Sequence, residues 1–261
     1  MGKVIEMNTR YWRYYPENPS AMLGHAYEDQ AFPFENTCLL VIDVYGPYFD
    51  EDQVKAALAK AKQDRSEEHL SVLIDVVRNH ISPVLTAARR AGLPVVYVKN
   101  TDPHIADVKG RSERHAKSLR SENCPNCEEA LGPQSERIRY SRIVEPQRGD
   151  YEILKRGYSG FFGTYLDSLL RNLGIKNLIV VGFDSLACLH CTVIDAYARN
   201  YRVILLRDCC YAREFPETQN AQLTASQLSV RFVESLLGYS AASQDFIKAL
   251  NAMAEGGSQT R

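Results

Sequence analysis

Apolar residues along this chain follow two alternating patterns. Short unbroken runs rich in β-branched residues are separated by stretches where apolar positions recur every three or four residues. Cys38-Leu39-Leu40-Val41-Ile42-Asp43 is such a run, ending on a carboxylate, and reads as a strand buried on both faces. Leu70, Val72, Leu73, Val76, Val77, Ile81, Val84 and Leu85 then recur at helical spacing, and Gly92 supplies a stop after Ala91. Pro94-Val95-Val96-Tyr97-Val98 predicts the next strand, and residues 151–155 a short further one. Residues 164–174 predict an amphipathic helix with Thr164 as its cap and Gly174 as its stop. A strand is expected over 176–181, a helix over 192–200, a strand over 202–206 and a final helix over 219–237. Strand and helix alternating over short turns imply an α/β fold, a three-layer α/β/α arrangement with a mostly parallel central sheet.

Three segments depart from this pattern. Residues 1–36 are polar, aromatic-rich and punctuated by proline, with no clear period, and predict an N-terminal arm wrapping over the domain or a neighbouring subunit. Residues 101–142 are charged and too long for a simple connection, so an irregular insertion or lid is expected. Residues 251–261 read as a flexible C-terminal tail, which leaves 37–250 as the folded domain. The arm and the 101–142 segment point to contacts between subunits, and hence to a homo-oligomer, a dimer or tetramer.

Charge and composition act mainly by exclusion. Lys and Arg number 31 against 32 Asp and Glu, and a net charge of −1 offers no field for nucleic acid or a membrane surface. No apolar run approaches bilayer length, and the N-terminus lacks the apolar core of a signal peptide. Seven cysteines, an odd count without an export signal, argue for reduced thiols and a cytoplasmic location. Cys38 and Cys209 fall at or beside strands, where free cysteine is an ordinary small apolar residue; Cys191 is read the same way.

The candidate chemistry lies at strand ends. In an open parallel sheet, ligands bind beyond the carboxyl ends of the strands. Asp43, Lys155 and Cys188 all fall at such ends. Cys188 follows the apolar strand and precedes the helix, where backbone N–H groups have no intrahelical partner and carry a positive partial charge. That position favours a thiolate nucleophile, and the same N–H groups suit an oxyanion. Asp43 supplies a candidate general base and acid, and Lys155 a cation to orient it. Cys124-Pro125-Asn126-Cys127 has zinc-ligand spacing, but no second pair accompanies it and His115 is the nearest helper. No phosphate loop or dinucleotide fingerprint is present. No metal and no cofactor are expected.

Leu39-Leu40-Val41-Ile42-Asp43, the lysine-bearing strand and the Gly-x-x-Ser-x-x-Cys element ending at Cys188 resemble the isochorismatase-like cysteine hydrolases over roughly residues 35–250. The resemblance implies an isochorismatase-like, Rossmann-like topology and an Asp43–Lys155–Cys188 triad. It also implies a cis peptide at Phe183–Asp184, with the N–H groups of Asp184 and Cys188 forming the oxyanion hole. Residues 143–150, followed by Lys155-Arg156-Gly157-Tyr158-Ser159-Gly160-Phe161-Phe162-Gly163, look like the ureidoacrylate amidohydrolase branch, enzymes of pyrimidine breakdown. Asn100 matches a polar position of that branch and is a candidate substrate contact. Tyr48, Tyr158 and Phe161 are candidate pocket walls.

The chain departs from the family at several points. Asp43-Val44-Tyr45-Gly46 stands where the family often has Asp-Met-Gln-Asn, so Tyr45 replaces an amide beside the site. Asp184-Ser185-Leu186-Ala187 stands for Ala-Thr-Asn-Val, and Asp184 is expected to point away from the oxyanion, toward a cation or a substrate amine. Asp102-Pro103-His104 only partly matches the metal motif of nicotinamidase relatives. The resemblance implies a cysteine-dependent amidohydrolase acting on a small ureido or amide substrate. Biuret, triuret and N-carbamoyl amino acids are alternatives on the same scaffold. Vinyl-ether hydrolysis is a rival chemistry that needs no thiol, and a non-catalytic binding or scaffold protein is the remaining one.

Overall fold

The computed structural model describes residues 2–55, 67–101, 138–218 and 221–256. Strands β1 (Val4–Tyr15), β2 (Asn18–Pro33), β3 (Thr37–Ile42), β4 (Val95–Asn100), β5 (Tyr151–Lys155), β6 (Asn177–Gly182), β7 (Arg202–Cys210) and β8 (Gly238–Ala241) form one sheet. Their order across it is β2-β1-β8-β7-β6-β3-β4-β5. The strands from β8 to β5 are mutually parallel, and β1 and β2 pair antiparallel. The helices are α1 (Gly46–Phe49), α2 (Glu67–Asp75), α3 (Ser82–Ala91), α4 (Leu166–Asn172), α5 (Cys188–Ala198), α6 (Ala225–Phe232) and α7 (Ser243–Gly256). A π-helical stretch, Val76–Ile81, joins α2 to α3, and another, Val233–Leu237, extends α6.

The two faces of the sheet are sorted by the period of two along each strand. Leu39, Val41, Val95, Tyr97, Ile179, Val181, Ile204 and Leu206 pack on one side with Val77, Ile81, Val84 and Leu85 and with Phe246 and Leu250 of α7. Leu40, Ile42, Val96, Val98, Leu178, Val180, Val203 and Leu205 pack on the other with Leu166, Leu170, Leu189, Val193 and Val230. Each fully buried aliphatic side chain contributes about 1.5–3 kcal/mol, so both layers are held firmly to the sheet. This is the expected three-layer α/β/α arrangement. Gly92, in the left-handed region at φ 77°, ends α3 where the sequence places a stop.

Several expectations are corrected or refined. Residues 1–36 are not an irregular arm. β1 and β2 pair from Val4↔Pro33 to Tyr15↔Asn18, and β1 joins the sheet at Arg10↔Ser240. Only alternate residues such as Ile5, Met7 and Thr9 are buried, so the apolar content that betrays a core strand is halved. Residues 219–237 do not close the fold, because β8 and α7 follow. α7 runs to Gly256, so the helix crosses the boundary set at residue 250, and 257–261 lie outside the described residues. Tyr165 occupies the cap position of α4, while the Thr164 hydroxyl one residue earlier accepts from the Leu166 N–H (3.2 Å) and donates to the Gly160 carbonyl (2.5 Å). Most of the 101–142 segment also lies outside the described residues.

Within the described residues no helix is long and apolar enough to cross a membrane.

Candidate active site

The chain leaves β3 toward β4 and β5 on one side, and β6, β7 and β8 lie on the other. The gap beyond the ends of β3 and β6 is therefore a topological switch point, where open α/β sheets bind ligands. Asp43 follows β3, Asn100 ends β4, Lys155 ends β5, and Cys188 is the first residue of α5 after β6. Parallel pairing, with Ile42 beside Gly182 and Asn100 beside Lys155, brings these ends to one level.

Local structure fixes each group. Asp43 has φ 50°, an unusual conformation for a non-glycine residue, and its N–H donates to the Val98 carbonyl (3.0 Å). The segment after it is tied down when the Gly46 N–H donates to the Arg139 carbonyl and the Ser141 N–H to the Val44 carbonyl (2.8 and 3.1 Å). Gly182 has φ 118°, and a Cβ there would lie 2.0 Å from the Ile42 carbonyl oxygen, so only glycine lets β6 run this close to β3. The Phe183–Asp184 peptide is cis, as the resemblance implies, and Phe183 stacks on Phe49 at 4.3 Å.

The polar groups form one buried network. Lys155 Nζ donates to Asp43 Oδ2 (2.7 Å) and to Asn100 Oδ1 (2.5 Å). The Tyr45 hydroxyl donates to Asp43 Oδ1 (2.5 Å) and accepts from the Asn100 N–H (2.7 Å). Asp43 thus has one donor on each carboxylate oxygen. The charges of Asp43 and Lys155 both act on the Cys188 thiol. Lys155, Asp43, Tyr45 and Cys188 are all buried.

The protonation state differs from the sequence argument. Burial pushes the Cys188 thiol up, Asp43 adds to this, and Lys155 opposes it without reversing it. Burial and Asp43 thus favour the neutral thiol, against the pull of a helix start toward the thiolate. Deprotonation requires an acceptor, and Asp43 is the carboxylate whose charge reaches the sulfur.

The N-terminus of α5 is open. The Ala187 and Leu189 amides donate to the Asp184 carbonyl (2.9 and 3.1 Å), while neither the Asp184 nor the Cys188 amide has a protein acceptor among the described residues. The Asp184 side chain turns away, but toward neither a cation nor open space: it accepts from the Leu186 N–H (2.8 Å) and the Arg213 N–H (3.1 Å). Its negative charge is spent on holding the loop.

A family model described as the isochorismatase domain matches residues 37–235. The chain belongs to the isochorismatase family. The ureidoacrylate amidohydrolase RutB of Yersinia enterocolitica is 30% identical over 190 residues, which cover 70% of this chain and 79% of that protein. The RutB of Serratia proteamaculans is 28% identical over 228 residues, 85% of this chain and 86% of its own. Among solved structures, a cysteine hydrolase from Pseudomonas syringae pv. phaseolicola superposes with a TM-score of 0.66 at 22% identity, covering 85% of this chain and 95% of that one. The N-carbamoylsarcosine amidase of Thermoplasma acidophilum gives a TM-score of 0.52 at 25% identity, covering 80% and 96%.

The remaining residues singled out in this isochorismatase-family chain are distributed unevenly. Tyr45, a candidate substrate contact beside the site, also donates its hydroxyl to Asp43, a role its place two residues along the chain did not reveal. Asn100 faces Lys155 and Tyr45 directly. Phe161 is not at the site surface; it is buried in the core beside Tyr201, with ring centroids 5.7 Å apart and Arg199 over its face. Tyr158 is exposed on the loop leaving β5. The Tyr48 side chain, Cys124, Cys127, His115, Asp102 and His104 lie outside the described residues. His190 packs on Phe232, with centroids 4.6 Å apart, on the side of α5 facing the extension of α6. Among the described residues no three His, Cys, Asp or Glu side chains converge as metal ligands.

Proposed function

We propose that this chain is a cysteine-dependent amidohydrolase that cleaves a C–N bond of a small ureidoacrylate-like substrate through a covalent intermediate on Cys188. The observation that carries the reading is the buried Asp43 carboxylate, held by Lys155 and Tyr45, whose charge acts on the buried Cys188 thiol. The two RutB proteins support the substrate class.

Asp43 takes the thiol proton as the sulfur attacks the carbamoyl carbon. The oxyanion is received by the Asp184 and Cys188 amides, donors aimed at charge that exists only in the tetrahedral state. Protonated Asp43 returns its proton to the substrate nitrogen as the C–N bond breaks, leaving a thiocarbamate on Cys188. Water, deprotonated by the same carboxylate, releases carbamate, and the proton goes back to the sulfur. Carbamate then yields ammonia and carbon dioxide. Lys155 keeps the carboxylate oriented and offsets negative charge on the sulfur.

The test is ammonia release from ureidoacrylate, biuret, triuret and N-carbamoyl amino acids, with wild type and Cys188→Ala. N-carbamoyl amino acids are the second class to expect, in view of the fold shared with N-carbamoylsarcosine amidase. Turnover of a ureido substrate that vanishes in a folded Cys188→Ala variant is the expected result. Undiminished turnover by that variant removes the sulfur from the mechanism, and no turnover of any of these compounds favours a binding or scaffold role.

A further inference from the structure

A second concentration of charge lies between the β1–β2 hairpin and α6, and none of Asp43, Lys155 and Cys188 borders it. Arg10 and His25 of the hairpin, Arg207 of β7, and Gln227 and Arg231 of α6 line a cavity of about 240 Å³. Arg10 and His25 precede the family-matched residues, so the hairpin supplies one wall of the cavity and the matched span the other.

The charges there do not balance. Glu234 is fully buried beside the cluster, and its oxygens are already engaged: Oε1 accepts from Arg10 Nε (2.7 Å) and from the Ser240 hydroxyl (2.5 Å), and Oε2 faces His25 Nε2 (3.1 Å). Glu214 is occupied at the start of α6, where it accepts from the Ala225 and Ser226 amides (2.8 and 3.1 Å). The Arg231 guanidinium lies over the Trp12 ring, 5.5 Å from its centroid. Among the described residues neither Arg207 nor Arg231 forms an ion pair with an acid. Of the three lining guanidiniums only Arg10 pairs with a carboxylate, so Arg207 and Arg231 are left without an acidic partner among the described residues. Half-buried cations without partners are costly, and an anion removes the cost.

The donors are also arranged for an oxyanion. Gln227 Oε1 accepts from the Thr224 N–H (3.0 Å), which leaves its NH₂ group to donate. Guanidiniums match the oxygen edges of phosphate with paired N–H groups. His25 is held toward its neutral form by burial and by Arg10 and Arg231, against Glu234, as a cationic surrounding requires.

We propose that this cavity binds the phosphate group of a small molecule, with Arg207 and Arg231 as principal donors and Arg10 and Gln227 beside them. A phosphate dianion matches the two uncompensated charges. At ~30 Å³ per water the cavity has room for roughly eight waters, enough for phosphate with a small ester group.

The experiment is isothermal titration calorimetry on the full chain with inorganic phosphate, glycerol phosphate and succinate, at neutral pH and constant ionic strength set with chloride. Saturable binding of a phosphate compound, weakened at least about tenfold in Arg207→Gln and in Arg231→Gln, is expected. Gln227→Glu keeps the cap on Thr224 and adds a negative charge, so it should abolish binding in a chain that still folds. Stronger binding of the ester assigns a phosphomonoester; equal binding assigns free phosphate. Absence of saturable phosphate binding by folded wild type overturns the proposal, as does succinate binding more tightly than either phosphate compound or unchanged affinity in the folded variants. Ammonia release should be unaffected by Gln227→Glu, so this result is independent of the active-site reading.

Discussion

Replacing Lys155 with methionine removes one charge of a buried pair while keeping most of the side-chain volume. Lys155 has no exposed surface, Asp43 is 5% exposed, and their charged atoms are 2.7 Å apart. At an effective dielectric constant of ~20, Coulomb's law gives about 6 kcal/mol of gross attraction at that separation. Desolvation of both ions offsets most of it in the wild type. The cost of Lys155→Met is therefore set by the carboxylate left behind, about 3–5 kcal/mol. Tyr45 still donates to Asp43 Oδ1, which favours the lower end of that range. A domain of this size loses roughly 2–4 °C per kcal/mol, so the melting temperature should fall by about 10 °C. In Asp43→Leu/Lys155→Met both charges are gone, and at least half of the loss should return although activity does not. Urea and thermal unfolding of wild type, both single variants and the double variant measure this. A Lys155→Met protein melting within about 2 °C of wild type refutes the reasoning, and so does a double variant no more stable than the single one.

Three further outcomes follow, two from the same network and one from the core beside it. Burial and Asp43 push the Cys188 thiol up against Lys155, so it is protonated at neutral pH. Alkylation of the Cys188 peptide by iodoacetamide, read by mass spectrometry, should still be climbing between about pH 8 and about pH 10; a plateau below about pH 8 would show an ionised sulfur. Tyr45→Phe deletes a hydrogen bond to a carboxylate, worth about 1.5–3 kcal/mol, so kcat/KM should drop roughly 10- to 100-fold at neutral pH, and an unchanged value would make Tyr45 mere packing. Phe161→Ala should cost about 3–5 kcal/mol in urea unfolding while leaving KM nearly unchanged, whereas a large rise in KM at full stability would return Phe161 to the pocket wall.

The parallel core was readable because its strands are buried on both faces, so Leu39-Leu40-Val41-Ile42 and residues 177–181 stand out as unbroken apolar runs. The strand ends then pointed to Asp43, Lys155 and Cys188 by position alone. The hairpin escaped because β1 buries only alternate residues up to Thr9 and none beyond it, where Tyr11, Trp12, Tyr14 and Tyr15 blur the pattern. β8 escaped because four residues, Gly-Tyr-Ser-Ala, carry neither a β-branched side chain nor a period. Within the site, linear spacing could not foretell that the Tyr45 hydroxyl folds back onto Asp43. The upward push on the Cys188 thiol was hidden for a related reason: a helix start is legible in sequence, whereas the depth of burial and a neighbouring carboxylate are tertiary facts.

The meeting of β1 with β8 has a consequence for how the polypeptide can be shortened. β8 lies beyond residue 235 and β1 before residue 37, so a fragment limited to the family-matched span would lose both. β7 would then become a bare border of the sheet, its peptide groups unsatisfied and Ile204 and Leu206 stripped of the α7 residues that cover them. Such a border invites pairing with a second copy. Head and tail thus seal each other, and trimming either one should trade a well-behaved molecule for a self-associating one.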